Sequence, residues 1–163
     1  MNQIDTFDRL MPKYLQYFID GYNTNVLAYG QTGTGKTFSM VAPAGLVKKN
    51  MHPGDSIPDE FGLFLRTCLT LYHQLKDSKD SLMTMQANEI GMMELRDLLN
   101  KQPLKIDDAK NELIGSEEVI INSVDDIMKV AYQVENERYS AATAMNLNSS
   151  RCHAMVSFRR YRK

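Results

Sequence analysis

Near the start of the chain, Leu10, Met11, Tyr14, Leu15, Phe18 and Ile19 recur at helical spacing, and Gly21 follows where a left-handed C-terminal cap is wanted. The pattern predicts a helix over residues 10–20, with Pro12 close to its start, where a missing N–H costs least. A short apolar run comes next, Val26-Leu27-Ala28-Tyr29, bounded by Asn25 and Gly30, and its length reads as a buried strand. Residues 41–59 carry Pro43, Pro53, Pro58, Gly45 and Gly54, the composition of a long loop. Phe61, Phe64, Leu65, Cys68, Tyr72 and Leu75 then share one stripe and predict a second helix over residues 59–76.

Further along, residues 82–88 read as a strand that ends or bulges near Gly91, and residues 93–100 as a helical turn. Residues 112–114 and 119–121 could pair as a hairpin across Gly115-Ser116. Ser123 with Asp126 three positions later marks a helix start, continued by Ile127, Met128, Ala131 and Val134. A weak alternation over residues 155–161 reads as a last strand. Helices alternating with strands predict an α/β sandwich.

The chain has 163 residues, the length of one domain or of one piece of a larger domain. That suffices for a sizeable core without metal or disulfide staples. Nineteen basic against twenty acidic residues leave a net charge of −1, so bulk attraction to nucleic acid is not expected. No apolar run approaches a membrane span, so no membrane partner is expected, and residues 1–5 lack the basic and apolar regions of a secretory signal. The two cysteines, Cys68 and Cys152, fit a reducing compartment rather than a disulfide framework. His52, His73 and His153 have no metal-ligand spacing to either cysteine, so no zinc site is expected.

One motif carries chemistry. Gly30-Gln31-Thr32-Gly33-Thr34-Gly35-Lys36-Thr37 is a full match to G-x-x-x-x-G-K-S/T, placed after the predicted strand. Glycines let the backbone curl so that successive N–H groups face phosphate oxygens. Lys36 brings a compact positive charge for the β and γ phosphates, and the Thr37 hydroxyl can ligate Mg²⁺. The chemistry is nucleoside triphosphate binding; the motif alone does not say what hydrolysis drives.

Around the loop, residues 21–40 resemble the phosphate-loop block of the kinesin motor family, roughly GYN-(x)-x-(apolar)₂-AYGQTG(S/T)GKT-x-(T/S)-M. A second block, Asn146-Leu147-Asn148-Ser149-Ser150-Arg151-Cys152-His153, resembles that family's switch I, N-x-x-S-S-R-S-H. Between them, Asn88-Glu89-Ile90 through Arg96-Asp97-Leu98-Leu99 is similar to the family's E-I-Y-N-E-x-x-x-D-L-L. The resemblance runs from about residue 10 to 161 and fades after Met40. It implies a three-layer phosphate-loop sandwich with a mixed central sheet, binding ATP and Mg²⁺ and working on microtubules in the cytoplasm and cytoskeleton.

Residue roles follow from that likeness. Gly30, Gln31, Thr32, Gly33, Thr34, Gly35, Lys36 and Thr37 would wrap the triphosphate, and Phe38 would lie near the adenine. Ser149 and Ser150 would close on Mg²⁺, γ-phosphate and attacking water, with Thr37 and Ser149 as the Mg²⁺ hydroxyls. Arg151 would pair with an acidic residue of switch II. Some positions depart from the pattern: Cys152 replaces a serine, Gly91 stands where Tyr is usual, Met93 where Glu is frequent, and Ile57-Pro58-Asp59 replaces Ile-Pro-Arg. No R-x-R-P segment precedes the loop and no D-x-x-G-x-E follows switch I, so residues 1–163 read as an incomplete motor fold. Two rivals remain: a degenerate relative that binds nucleotide or partners without motor activity, and a phosphate-loop enzyme such as a nucleotide kinase. The block at residues 146–153 speaks against the second.

Overall fold

The computed structural model describes residues 2–31, 33–43, 46–47, 56–91, 94–110, 112–144 and 152–162. The chain opens with helix α1 (Gln3–Leu10), started by Asn2, whose Oδ1 accepts from the Asp5 N–H at 2.7 Å. Helix α2 (Pro12–Asp20) follows, with Pro12 in its first turn and Gly21 at φ 102° as its cap. The sequence pattern finds α2 and misses α1, because α1 buries only Gln3 and Phe7, too few apolar positions to show a period.

Residues 26–29 do not form the buried strand expected of them. They lie in no ladder, and Leu27 and Tyr29 are 85% and 96% exposed. A strand exists through its neighbours, and among the described residues none offers this run an edge. Replacing Leu27 by lysine is therefore expected to shift stability by less than about 0.5 kcal/mol and to reduce self-association of the 163-residue chain. Thermal unfolding and light scattering check this, and a collapse of the midpoint would mean that the run is buried after all.

Helix α3 (Lys36–Met40) opens directly from the phosphate loop, as the motif requires. Helix α4 (Leu63–Leu75) buries Leu65, Cys68 and Leu75 of the predicted stripe, leaves Phe64 and Tyr72 of it partly buried, adds Leu69, which the stripe lacks, and starts later than the pattern implies. Gly62 sets that start. A Cβ there would stand 2.6 Å from the Ser39 oxygen, so only glycine lets α4 abut the end of α3.

Strand β1 (Ser81–Ile90) is the axis of the sheet. Three-residue β2 (Leu95–Asp97) returns along one edge of β1, where a helical turn was expected, and Leu98 N–H then donates to Ala87 O at 2.8 Å. Strands β3 (Lys105–Asp107) and β4 (Glu112–Ile114) form their own hairpin, closed by the Asp107 side chain accepting from Ala109 N–H at 3.0 Å. Strand β5 (Val119–Ile120) pairs with β1 at Thr84 and Met85. The hairpin expected between residues 112–114 and 119–121 is thus replaced by two separate pairings: residues 112–114 pair with the segment before them, across the turn closed by Asp107, and residues 119–120 with the distant β1.

Helix α5 (Val124–Ala144) begins at the predicted capping box, where Ser123 N–H donates to Asp126 Oδ2 at 3.0 Å and Asp126 N–H to Ser123 Oγ at 3.3 Å. Strand β6 (His153–Arg162) runs antiparallel along the whole of β1, from Ser81 opposite Arg162 to Ile90 opposite His153. The fold is α/β. Its described ladders are all antiparallel, whereas the expected mixed sheet would need residues 26–29 within it.

Met83, Met85 and Ala87 join one core with Leu65, Leu69, Ile127 and Met128. From α2, Phe18 reaches Phe158 on this side, with ring centres 6.0 Å apart. The opposite face of β1 is polar. Thr84 donates to Glu118, Ser116 Oγ donates to Asn88 Oδ1 at 2.8 Å, and Tyr161 donates to Glu118 at 2.8 Å. The Thr84 hydrogen bond leads in holding the Glu118 carboxyl below the ordinary range, against the opposing effect of burial.

Candidate functional site

Residues 30–31 and 33–37 leave the exposed run 26–29, curl, and enter α3. The curl needs glycine: Gly33 and Gly35 have φ of 86° and 87°, and no atom lies within 4 Å of where a Cβ would stand on either. That side of the loop is open. Inside the curl, Thr34 donates both its N–H (3.3 Å) and its hydroxyl (2.8 Å) to Gln31 O. The Lys36 ammonium reaches back across the loop and donates to Gly30 O and Gln31 O, each at 2.7 Å. Among the described residues no carboxylate pairs with Lys36, so its charge is balanced only by carbonyl dipoles.

Thr37 follows in the first turn of α3 with an exposed side chain, and Phe38 is exposed beside it. The structure therefore brings together Gly30, Gln31, Gly33, Thr34, Gly35, Lys36, Thr37 and Phe38. Thr32, Ser149, Ser150 and Arg151 lie outside the described residues. Cys152 and His153, which end the second block, enter β6 next to the end of β1.

Two departures noted in the sequence meet at that point. A Cβ on Gly91 would stand 3.1 Å from Cys152 Sγ, so the small residue at one position makes room for the sulfur at the other. Burial, reinforced by Glu89, raises the Cys152 thiol above its ordinary range, so a reactive thiolate is disfavoured there.

Sequence reasoning missed what stands behind the loop. Gly62 N–H donates to Val41 O at 2.6 Å, and Gln3 Nε2 donates to Phe38 O at 2.6 Å. A glycine directly before the α4 stripe was the available signal for the first contact; nothing in the apolar pattern signals the second. Among the described residues no cluster of three or more His, Cys, Asp or Glu side chains could hold a metal ion, and no helix is long and apolar enough to cross a membrane.

Comparison with known proteins bears on the whole chain. A family model described as the kinesin motor domain matches residues 1–162. The kinesin heavy chain of Syncephalastrum racemosum is 34% identical over 166 residues, covering 96% of this chain and 16% of that protein. Kinesin-like protein KIN-12F of Arabidopsis thaliana is 31% identical, covering 97% of this chain and 15% of that protein. A solved structure of a fast kinesin superposes with a TM-score of 0.82 at 28% identity, covering 98% of this chain and 45% of that one. The chain thus spans about one-sixth of the curated relatives and under half of the solved structure. With the glycine-curled loop, the lysine across it and a match over almost the entire length, the chain belongs to the kinesin motor domain family.

Proposed function

We propose that this chain binds Mg²⁺-ATP at residues 30–37 as part of a motor that couples ATP hydrolysis to movement along microtubules. The observation that carries the reading is the Lys36 ammonium, held over an open glycine-lined curl by two carbonyls and, among the described residues, by no carboxylate. A polyphosphate offers such a cation a better counter-charge than neutral carbonyls do. In this reading Gly30, Gln31, Thr32, Gly33, Thr34 and Gly35 turn backbone N–H groups toward the phosphates, and Phe38 borders the base.

The site suits Mg²⁺ because its donors are hard oxygens. Thr37 presents an exposed hydroxyl at the start of α3, and Ser149 would be the second protein oxygen. When bound, the ion neutralises charge on the β and γ oxygens. Ser149 and Ser150 would orient water and γ-phosphate, and Arg151 would hold the switch closed through an acidic partner. Microtubules are the proposed track, and the cytoplasmic cytoskeleton the proposed location, by membership of the family.

Microtubule-stimulated phosphate release from the whole protein tests this function, and a screen of phosphoryl acceptors would expose a kinase instead. Ser150→Ala is expected to lower kcat by about 100-fold and to leave ADP affinity within about twofold, since its contacts form only as the switch closes. Loss of ADP affinity with kcat intact would contradict that role. The exposure of Leu27 and Tyr29 beside the loop favours one second reading, a module that holds nucleotide without turning it over. ADP binding with no stimulated release would select it.

A further inference from the structure

We propose that Gln3 is a positioning residue for the phosphate loop: its buried carboxamide holds the C-terminal end of α3 and thereby sets where Lys36 and Thr37 stand at the other end. The proposal rests on the nucleotide-binding reading above.

Helix α3 has five residues and buries none of them fully; Met40, its last residue, packs against the core, so what packing sets its axis is concentrated at the C-terminal end. Its last described backbone bond is Val41 N–H to Thr37 O at 2.8 Å, which leaves the Phe38 carbonyl among the orphans of a helix end. Gln3, 8% exposed in the first turn of α1, supplies the missing donor at 2.6 Å across 35 positions of sequence. On the α4 side, Gly62 N–H takes the Val41 carbonyl at 2.6 Å. The C-terminal end of α3 is thus gripped from two elements.

Helix α1 is itself anchored. Phe7 is buried, and the Arg66 guanidinium of α4 lies 5.9 Å from its ring centre while donating to Pro58 O at 2.7 Å. Gln3 therefore reaches α3 from a fixed base. At 1.5 Å per residue, α3 is about 7.5 Å long, so a tilt of about 10° at one end moves the other by about 1 Å. Displacements of that size are large for hydroxyl and ammonium groups that must meet phosphate oxygens. A buried amide that only filled space would have no need of a donor aimed at this carbonyl.

The test compares Gln3→Met, which keeps shape and loses the donor, with Ile127→Val, which loosens the core under α5, the helix packed on α4 and β1, and leaves the anchor of α1 in place. Mg²⁺-ADP affinity by calorimetry and the thermal midpoint are measured for both and for Lys36→Ala. Gln3→Met is expected to weaken ADP binding about fivefold, and Ile127→Val to lower the midpoint at least as much while leaving affinity within about twofold. Unchanged affinity in Gln3→Met would overturn the proposal, as would a loss in Ile127→Val that tracks its midpoint in the same way. If Lys36→Ala binds as tightly as the parent, this loop does not hold the nucleotide, and the functional reading falls along with the role of Gln3. If Lys36→Ala loses binding and Gln3→Met does not, only the role of Gln3 falls. Should Gln3→Met fail to fold, Gln3→Asn, one methylene short of the carbonyl, carries the same comparison.

Discussion

Lys36→Ala is expected to weaken ATP binding by about 100-fold, close to 2.7 kcal/mol, while leaving the thermal midpoint nearly unchanged. The two expectations come from the same geometry. Among the described residues the ammonium donates to Gly30 O and Gln31 O alone, on an exposed loop where water can replace it, so the fold loses little. The nucleotide would lose far more. At an effective dielectric constant of about 20, a unit charge about 4 Å from a phosphate charge contributes about 4 kcal/mol, of which screening removes a share. Lys36→Arg should recover only part of the affinity, because a planar fork does not fit a curl shaped around a point charge. Calorimetry in Mg²⁺ buffer with a parallel thermal scan checks both halves. Equal affinity of variant and parent would remove the site from this loop, and a large fall in midpoint would make Lys36 a structural residue.

Asp97→Ala should destabilise the fold by about 3 kcal/mol, lowering the midpoint by about 10 °C. Asp97 is fully buried at the end of β2 and acts as a hub for backbone donors. Its Oδ1 accepts from Leu99 N–H at 2.6 Å and Asn100 N–H at 3.3 Å, and its Oδ2 accepts from Glu117 N–H at 2.5 Å. The first two hold the turn after β2, while the third ties that turn to the segment leading into β5. Alanine would strand three N–H groups in a place water does not easily reach. Asparagine would keep the Oδ1 bonds but turn an NH₂ toward Glu117 N–H, so Asp97→Asn should cost about half as much. Chemical or thermal unfolding of the two variants gives the ranking. A midpoint within about 2 °C of the parent for Asp97→Ala would show that the turn finds other acceptors.

Asp97 also marks how far sequence reading reaches. The resemblance named it as part of a shared pattern, yet the pattern could not say why an acid belongs there; the three backbone donors supply the reason. Gly91 and Cys152 appeared as unrelated departures 61 positions apart, and antiparallel pairing of β1 with β6 makes them neighbours. The α4 and α5 stripes were legible because a helix repeats its buried positions every three or four residues and α5 carries its own cap. The ends of β1 and β6 were nearly right for a similar reason, with alternation and Gly91 marking them.

What the sequence determined by itself, then, is whatever is encoded within a few residues: the capped helices α2 and α5, the glycine curl of residues 30–37, the lysine and threonine at its end, and the family pattern around them. Tertiary structure alone decided the rest. It paired β5 with β1, left residues 26–29 outside every described ladder, and set Gln3 and Gly62 behind α3. The physical reason is that local dihedral preference and capping act through neighbours in sequence. A strand, by contrast, is defined by hydrogen bonds to whichever edge the fold brings within reach, and a five-residue helix with no fully buried residue takes its direction from what grips its end.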